Sequence, residues 1–369
     1  MSLEDAEKID PDATWAIAET HEQKSADMLR VACLSSADED VNTLWTLQRA
    51  FGTNDNDKLA ALHQIDVFAS EEVASQVQEQ RAAAMASCDE VPMHIVSSSK
   101  ISNLADDVLQ ITVALEDDPA DLHTLVLART GSAITMVDVV RNSKAVGVEA
   151  VTDAVVRSLS EFCEAVDGTC PDGPEVKKSI PPPTEPEGWL QTADFPRITA
   201  GAGLWTATEP TKLDSKGMGC EDMTLSSASD AQEREQRTYL LTQDDNTPST
   251  FGVDEMIFTF DKADDAKSFA DKLGGNLANC KDKLLNAKVS ADSKFDGKGA
   301  DDVEFNGRTM TIKLDTSSDD AVLYQLAVSR VDKQVSYLLT SVTDDYKFDE
   351  AKQFQALAQR AAQRQSQNQ

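Results

Sequence analysis

Histidine is scarce in this chain, with four among 369 residues, and aromatic residues make up only 5%. No Cys-x-x-Cys pair, His-Glu-x-x-His, Gly-x-Ser-x-Gly or phosphate-cradling glycine loop occurs. Zinc chemistry and the common hydrolase and nucleotide-binding designs therefore have no sequence support. No apolar run is long enough to span a bilayer. Basic residues are also short: 34 Lys and Arg against 65 Asp and Glu give a formal net charge of −31. Such a surface repels nucleic acid and anionic lipid and attracts cations, basic peptides or amines. The acidic runs at 116–121, 244–246 and 292–302 lack the spaced Asp/Asn ladder with a closing Glu of a calcium loop. They read as solvated loops, and neither a metal nor a cofactor is expected.

The chain does have a repeat. Ile65-Asp-Val-Phe68, the Ser70 helix start and the run Arg81 to Cys88 return as Ile257-Phe-Thr-Phe260, the run through Phe269, and Leu273 to Cys280. Phe68, Val77, Met85 and Cys88 fall on Phe260, Phe269, Leu277 and Cys280 at one constant offset. Each copy has an earlier cysteine, Cys33 or Cys220, and before it a tryptophan, Trp15 or Trp205. A repeat of this length is a duplicated domain. We expect lobes at 1–170 and 189–369, with a stiff extended linker at 171–188 that holds six of the twelve prolines.

Six cysteines with matched spacing read as disulfides Cys33–Cys88 and Cys220–Cys280, leaving Cys163–Cys170 to close a short loop. Structural disulfides imply an oxidising compartment. Met1-Ser-Leu-Glu is no signal peptide, so a leader or lipid anchor upstream is expected.

Within the first copy, residues 36–50 read as a helix capped by Ser36, 61–68 as a strand, and 70–85 as a helix capped by Ser70. Residues 110–115, 122–128 and 133–140 read as strands, the last two joined by Arg129-Thr-Gly-Ser132. Residues 148–163 read as a helix. The second copy repeats the order, with strands at 309–314, 323–329 and 334–342, the turn Arg330-Val-Asp-Lys333, and a helix at 348–364. The expected fold is α+β: two similar lobes, each an antiparallel sheet flanked by helices, carried on one side of the sheet.

These features resemble the PknH-like extracellular sensor domain of actinobacteria. The likeness rests on the early Trp, the Cys followed by a short acidic helix, and the apolar strand running into Phe260-Asp-Lys-Ala-Asp-Asp-Ala266. Cys280 ending the helix, the Arg330 hairpin and the Ala-rich final helix complete it. The resemblance implies a sheet flanked by helices around a cleft that binds an extracellular ligand. It points to a non-enzymatic, secreted or lipid-anchored envelope protein whose ligand is a small molecule, lipid, glycan or envelope protein. A structural or protein-interaction module is the alternative, and a secreted hydrolase is the third reading.

Arg129 and Arg330, at matched turn positions, are candidate anion contacts at a cleft mouth, or surface arginines answering the acidic excess. Trp15 and Trp205 are candidate cleft residues, or lids over each core. His94 and His123 have no histidine counterpart in the second copy, which disfavours a shared base or metal site.

Overall fold

The computed structural model describes all residues except 32, 35–41, 55–57, 89–90, 116–119, 199–202, 229, 316–320 and 369. The chain divides into two compact units, Met1–Pro182 and Pro183–Gln369.

Unit 1 begins with α1 (Leu3–Ile9), β1 (Trp15–His21), β2 (Trp45–Thr53), β3 (Ala60–Val67) and α2 (Glu71–Ala86). It continues with β4 (Met93–Ser102), β5 (Asp107–Leu115), β6 (Asp121–Thr130), β7 (Ala133–Asn142), α3 (Val148–Ser160) and β8 (Glu175–Ser179). The strands form one antiparallel sheet in the order β1-β2-β3-β7-β6-β5-β4-β8.

Unit 2 has β9 (Leu204–Ala207), β10 (Thr211–Lys212), β11 (Glu233–Thr242), β12 (Val253–Thr259), α4 (Ala263–Ala278) and β13 (Ala287–Lys298). After these come β14 (Glu304–Asp315), β15 (Ala321–Val331), β16 (Gln334–Val342) and α5 (Gln355–Ser366). Its sheet order is β10-β11-β12-β16-β15-β14-β13, with β9 also on β11.

The two sheets share order and register. Ile65 pairs with Thr135 as Ile257 pairs with Ser336, and Leu127 pairs with Met136 as Val328 pairs with Tyr337. Phe68 N–H donates to the Ser132 carbonyl at 2.9 Å, and Phe260 N–H donates to Lys333 at 3.0 Å. A one-residue slip would turn every apolar side chain to the wrong face, so the alternating pattern fixes this register. All three expected disulfides are bonded, with Cα–Cα distances of 5.4, 5.2 and 4.9 Å. Cys88 and Cys280 follow α2 and α4, the helices after β3 and β12, and each ties that helix end to the connection preceding β2 or β11.

Three expectations fail. The helix expected at 36–50 is not found over its described part: β2 occupies Trp45–Thr53, with Thr46, Gln48 and Ala50 buried at every second position. Ser36 lies outside the described residues. The segment 171–188 is not wholly a linker, because β8 pairs with β4 from Glu175 to Ser179 and donates an eighth strand. Helices cover both faces of each sheet rather than one. In unit 1, α1 and α3 pack with Ala61, Val126, Ala128, Val137 and Val139, while α2 packs on the opposite face over β6 and β7. In unit 2, α5 covers Val253, Ala327 and Leu338, and α4 covers Met256, Phe258 and Val328. Neighbouring strand residues point to opposite faces, and both are apolar in the central strands, so each sheet needs two covers.

Candidate functional site

Helix α2 starts at Ser70, whose hydroxyl accepts from Val73 N–H at 3.3 Å, with Glu71 and Glu72 in the first turn. Its sheet-facing stripe is Ala74, Val77, Gln78, Arg81 and Met85, so a guanidinium sits where an apolar side chain is the rule. Beneath it, alternation sends Gln64 and Asp66 of β3 and Thr46 and Gln48 of β2 to the same face.

These groups are bonded to one another. Arg81 Nη2 lies 2.7 Å from Asp66 Oδ2, with both side chains 2% exposed. Gln64 Nε2 donates to Asp66 Oδ2 at 2.8 Å, and the Thr46 hydroxyl donates to Asp66 Oδ1 at 2.8 Å. Gln48 Nε2 donates to Gln64 Oε1 at 2.8 Å. The Gln48 amide also clamps the connection above it, accepting from Leu29 N–H at 2.9 Å and donating to the Leu29 carbonyl at 2.8 Å. The Cys33–Cys88 disulfide holds that connection to the end of α2. Between them lies a cavity of about 80 Å³, with Asp66, Arg81, Thr46 and Gln64 on its floor, Met28, Val31 and Met136 on its walls, and Lys24 and Arg30 at its rim. The floor residues are buried and the two rim cations are exposed.

Register and the repeat offset give Gln64, Asp66 and Arg81 counterparts in unit 2. Gln64 and Asp66 correspond to Met256 and Phe258, because Gln64 faces Met136 as Met256 faces Tyr337, and Asp66 faces Ile134 as Phe258 faces Val335. At the repeat offset Arg81 corresponds to Leu273. Met256, Phe258 and Leu273 are completely buried in one apolar cluster. His123 corresponds to Tyr324, facing Val113 as Tyr324 faces Ile312. At these three positions one backbone thus carries polar residues under α2 and apolar ones under α4.

The residues singled out from the sequence fall in four places. Trp15 and Trp205 are buried, and each indole N–H donates at 3.1 Å to a backbone carbonyl, of Asp10 and Pro196 respectively. Both sit in core clusters and close the start of their units; neither lines the cavity. Arg129 is held by Glu71 at 3.1 Å and Asp106 at 3.8 Å. Arg330 lines a shallow groove in unit 2 with Arg308 and Lys294, and Arg308 is bonded to Asp292 there. His94 lies on β4. His123 Nδ1 is 2.8 Å from Asp138 Oδ1. Burial lowers the His123 pKa, but the bond and charge of Asp138 outweigh it, and the pKa rises. No serine, threonine or cysteine bonds its other ring nitrogen among the described residues. No group of three His, Cys, Asp or Glu able to hold a metal occurs among them either.

Asp66, Arg81, Gln64 and Gln48 went unnoticed as site residues, although Asp66 and Arg81 belong to the repeated segment itself. The available signal was a charge in one copy aligned with Phe258 or Leu273 in the other.

No family model and no curated protein matches the chain. Among solved structures, DynU16, a protein of the dynemicin biosynthetic locus, aligns over 95% of this chain and 96% of its own at 8% identity and a TM-score of 0.14. A likeness of that size carries no inference about fold or function.

Proposed function

We propose that the chain is a non-enzymatic, extracytoplasmic ligand-binding protein of sensor type, and that unit 1 carries the ligand cavity. The carrying observation is the buried Asp66–Arg81 pair on the cavity floor, at positions where unit 2 uses Phe258 and Leu273. Buried ion pairs are often no more stabilising than apolar packing of similar volume. The apolar packing in unit 2 supports a fold that has no need of the pair, and the pair borders open space. An apolar cavity with a few converging polar groups is the usual form of a small-molecule site.

Three disulfides suit an oxidising compartment, and no helix among the described residues is long and apolar enough to cross a membrane. The resemblance to PknH-like sensor domains supports the envelope setting and a binding rather than catalytic role. A protein-interaction role draws on Leu44 and Trp45, adjacent in sequence and 72% and 44% exposed.

Native mass spectrometry of the protein purified from its host tests the cavity reading. A small-molecule adduct should be present, and it should vanish in Met136→Trp, which fills the cavity. No adduct, or one that persists in Met136→Trp, overturns the assignment.

A further inference from the structure

We propose that unit 2 carries a binding site of its own, the groove beside α4. It takes a small molecule by an oxyanion head, a carboxylate or a phosphate, held by Arg330 and Lys294. The groove shares no residue with the unit 1 cavity, so either site stands or falls without the other.

The matched arginines keep different company. Arg129 faces Ile134 as Arg330 faces Val335. Around Arg129 stand three acids: Glu71 at 3.1 Å, Asp106 at 3.8 Å, and Asp107 directly opposite on β5. Their counterparts in unit 2 are all uncharged. Ala263 opens α4 where Glu71 opens α2. Asn306 faces Arg330 where Asp107 faces Arg129. The residue before it, in the place of Asp106, is the buried Phe305. Arg330 is left with its own turn: it donates to the Asp332 carbonyl at 3.4 Å and joins no ion pair among the described residues.

Smaller residues open the space. Gln78 of α2 is buried and donates to the Leu127 carbonyl at 3.2 Å. At the repeat offset its counterpart is Ala270, and that of Ala82 is Gly274. Leu127 and the facing Leu109 correspond to Val328 and the facing Arg308. A groove of about 370 Å³ lies there in unit 2, lined by Ala270, Gly274, Val328, Arg308, Arg330 and Lys294.

Most of the acids at the groove are already engaged. Asp271 is bonded to Lys267 at 2.6 Å, and Asp292 takes Arg308 through two nitrogens. Lys294 pairs in register with Arg308, and like charges placed opposite one another are unfavourable until an anion answers both. Asp292 bonds Arg308 and meets only the charge of Lys294. Lys294 and Arg330 thus remain against Asp296 in the lining. The Debye length is about 8 Å at physiological salt, so these neighbours outweigh the net charge of the distant surface. A guanidinium with an ammonium beside it matches the oxygens of a carboxylate or phosphate.

The test is NMR titration of the deuterated, 15N-labelled full chain with phenyl phosphate, benzoate and benzylammonium. Both anions should shift the amides of Gly274, Gly307 and Arg330, and benzylammonium should not. The tighter of the two anions identifies the head group. Arg330→Gln with Lys294→Gln should weaken anion binding about tenfold or more. Ala270→Gln, which restores the residue of unit 1, should block the groove with both cations in place. Asp296→Asn should tighten both anions, and Arg129→Gln should change neither. Absence of shifts with both anions, equal shifts with benzylammonium, or binding that survives both the double substitution and Ala270→Gln overturns the site.

Discussion

Unit 1 and unit 2 follow one backbone plan and differ in what the helix after β3 or β12 rests on. Under α4 lies an apolar layer of Met256, Phe258, Leu273 and Leu277. Under α2 lies a hydrogen-bonded layer built on Gln48, Gln64, Asp66 and Arg81. Strand order, pairing register and the helix-end disulfide survive that exchange. Register is set by which residues turn inward and by the hairpin that joins them, whereas the chemistry of an inward position is free as long as its volume is filled and its bonds are met. Both faces of each sheet are covered, so a polar layer under one helix leaves the apolar core under the other intact.

The largest expected effect comes from converting one layer toward the other. Arg81→Leu alone leaves the Asp66 carboxylate buried without its cation, and it should lower unfolding free energy by about 3–5 kcal/mol. Adding Asp66→Phe and Gln64→Met, the residues that unit 2 uses, should recover most of that loss. Urea denaturation of the full chain measures both. If the triple variant is no more stable than Arg81→Leu, the two helices do not sit over equivalent layers and the comparison breaks. Phe258→Asp in unit 2 is the reciprocal test: a lone buried carboxylate should cost a similar amount.

Much of this plan was legible in the sequence because it rests on local pattern. Alternation in 110–115 and 133–140, the Ser70 cap and the matched cysteine spacings each follow from rules acting over a few residues or a pair. The failures have a different character. Residues 45–53 alternate buried and half-buried positions, but Gln48 and Thr46 are polar and face inward, so hydrophobicity alone hides the strand. β13 is rich in Lys and Asp because it is an edge strand with mostly exposed side chains, and charged edges discourage unwanted pairing. β8 follows a proline-rich composition up to its edge position. The cavity itself depends on β2, β3, α2 and the 22–31 connection converging, which no single window displays.

A second matched position sharpens the comparison through pH. His63 on β3 and Glu255 on β12 occupy equivalent places, pairing with Val137 and Leu338. Each lies beside the N-terminal segment of its unit: His63 Nδ1 is 3.0 Å from the Met1 nitrogen, and Glu255 Oε2 accepts from Leu190 N–H at 3.1 Å. Burial pushes the Glu255 carboxyl up to about 7 from its usual 4.5, against opposing bonds from Tyr239 and Leu190 and the charge of Arg237. The folded state then holds that proton more tightly than the unfolded state. Stability from this group is fully present below about 4.5, falls as pH rises through about 7, and levels off above. The total is about 3 kcal/mol. Burial acts oppositely on His63, lowering its pKa well below 6.5. Its contribution is fully present above 6.5 and is lost as pH falls below that value. Denaturation at pH 5 and pH 8 should show Glu255→Gln flattening one slope and His63→Gln flattening the other. Slopes of the same sign would mean that the matched positions are not in matched environments.

The smallest effect probes the hairpin turns. Gly131 and Asp332 occupy the same turn position, and both have positive φ, 52° and 44°. Only the first is pressed by neighbouring backbone: Ser132 N–H donates to the Val166 carbonyl at 3.2 Å, and a side chain on Gly131 would run into that carbonyl. Gly131 N–H also donates to Asp106 Oδ2 at 2.6 Å, which holds the turn in place. Gly131→Ala should therefore cost about 2 kcal/mol, combining left-handed strain with the overlap. Asp332→Gly removes strain but adds freedom to the unfolded chain, and it should change stability by less than about 1 kcal/mol. Thermal unfolding of the two variants checks the contrast. Equal losses at the two sites would mean that the 163–170 loop of unit 1 does not press on its turn, and that the hairpins are held by their strands alone.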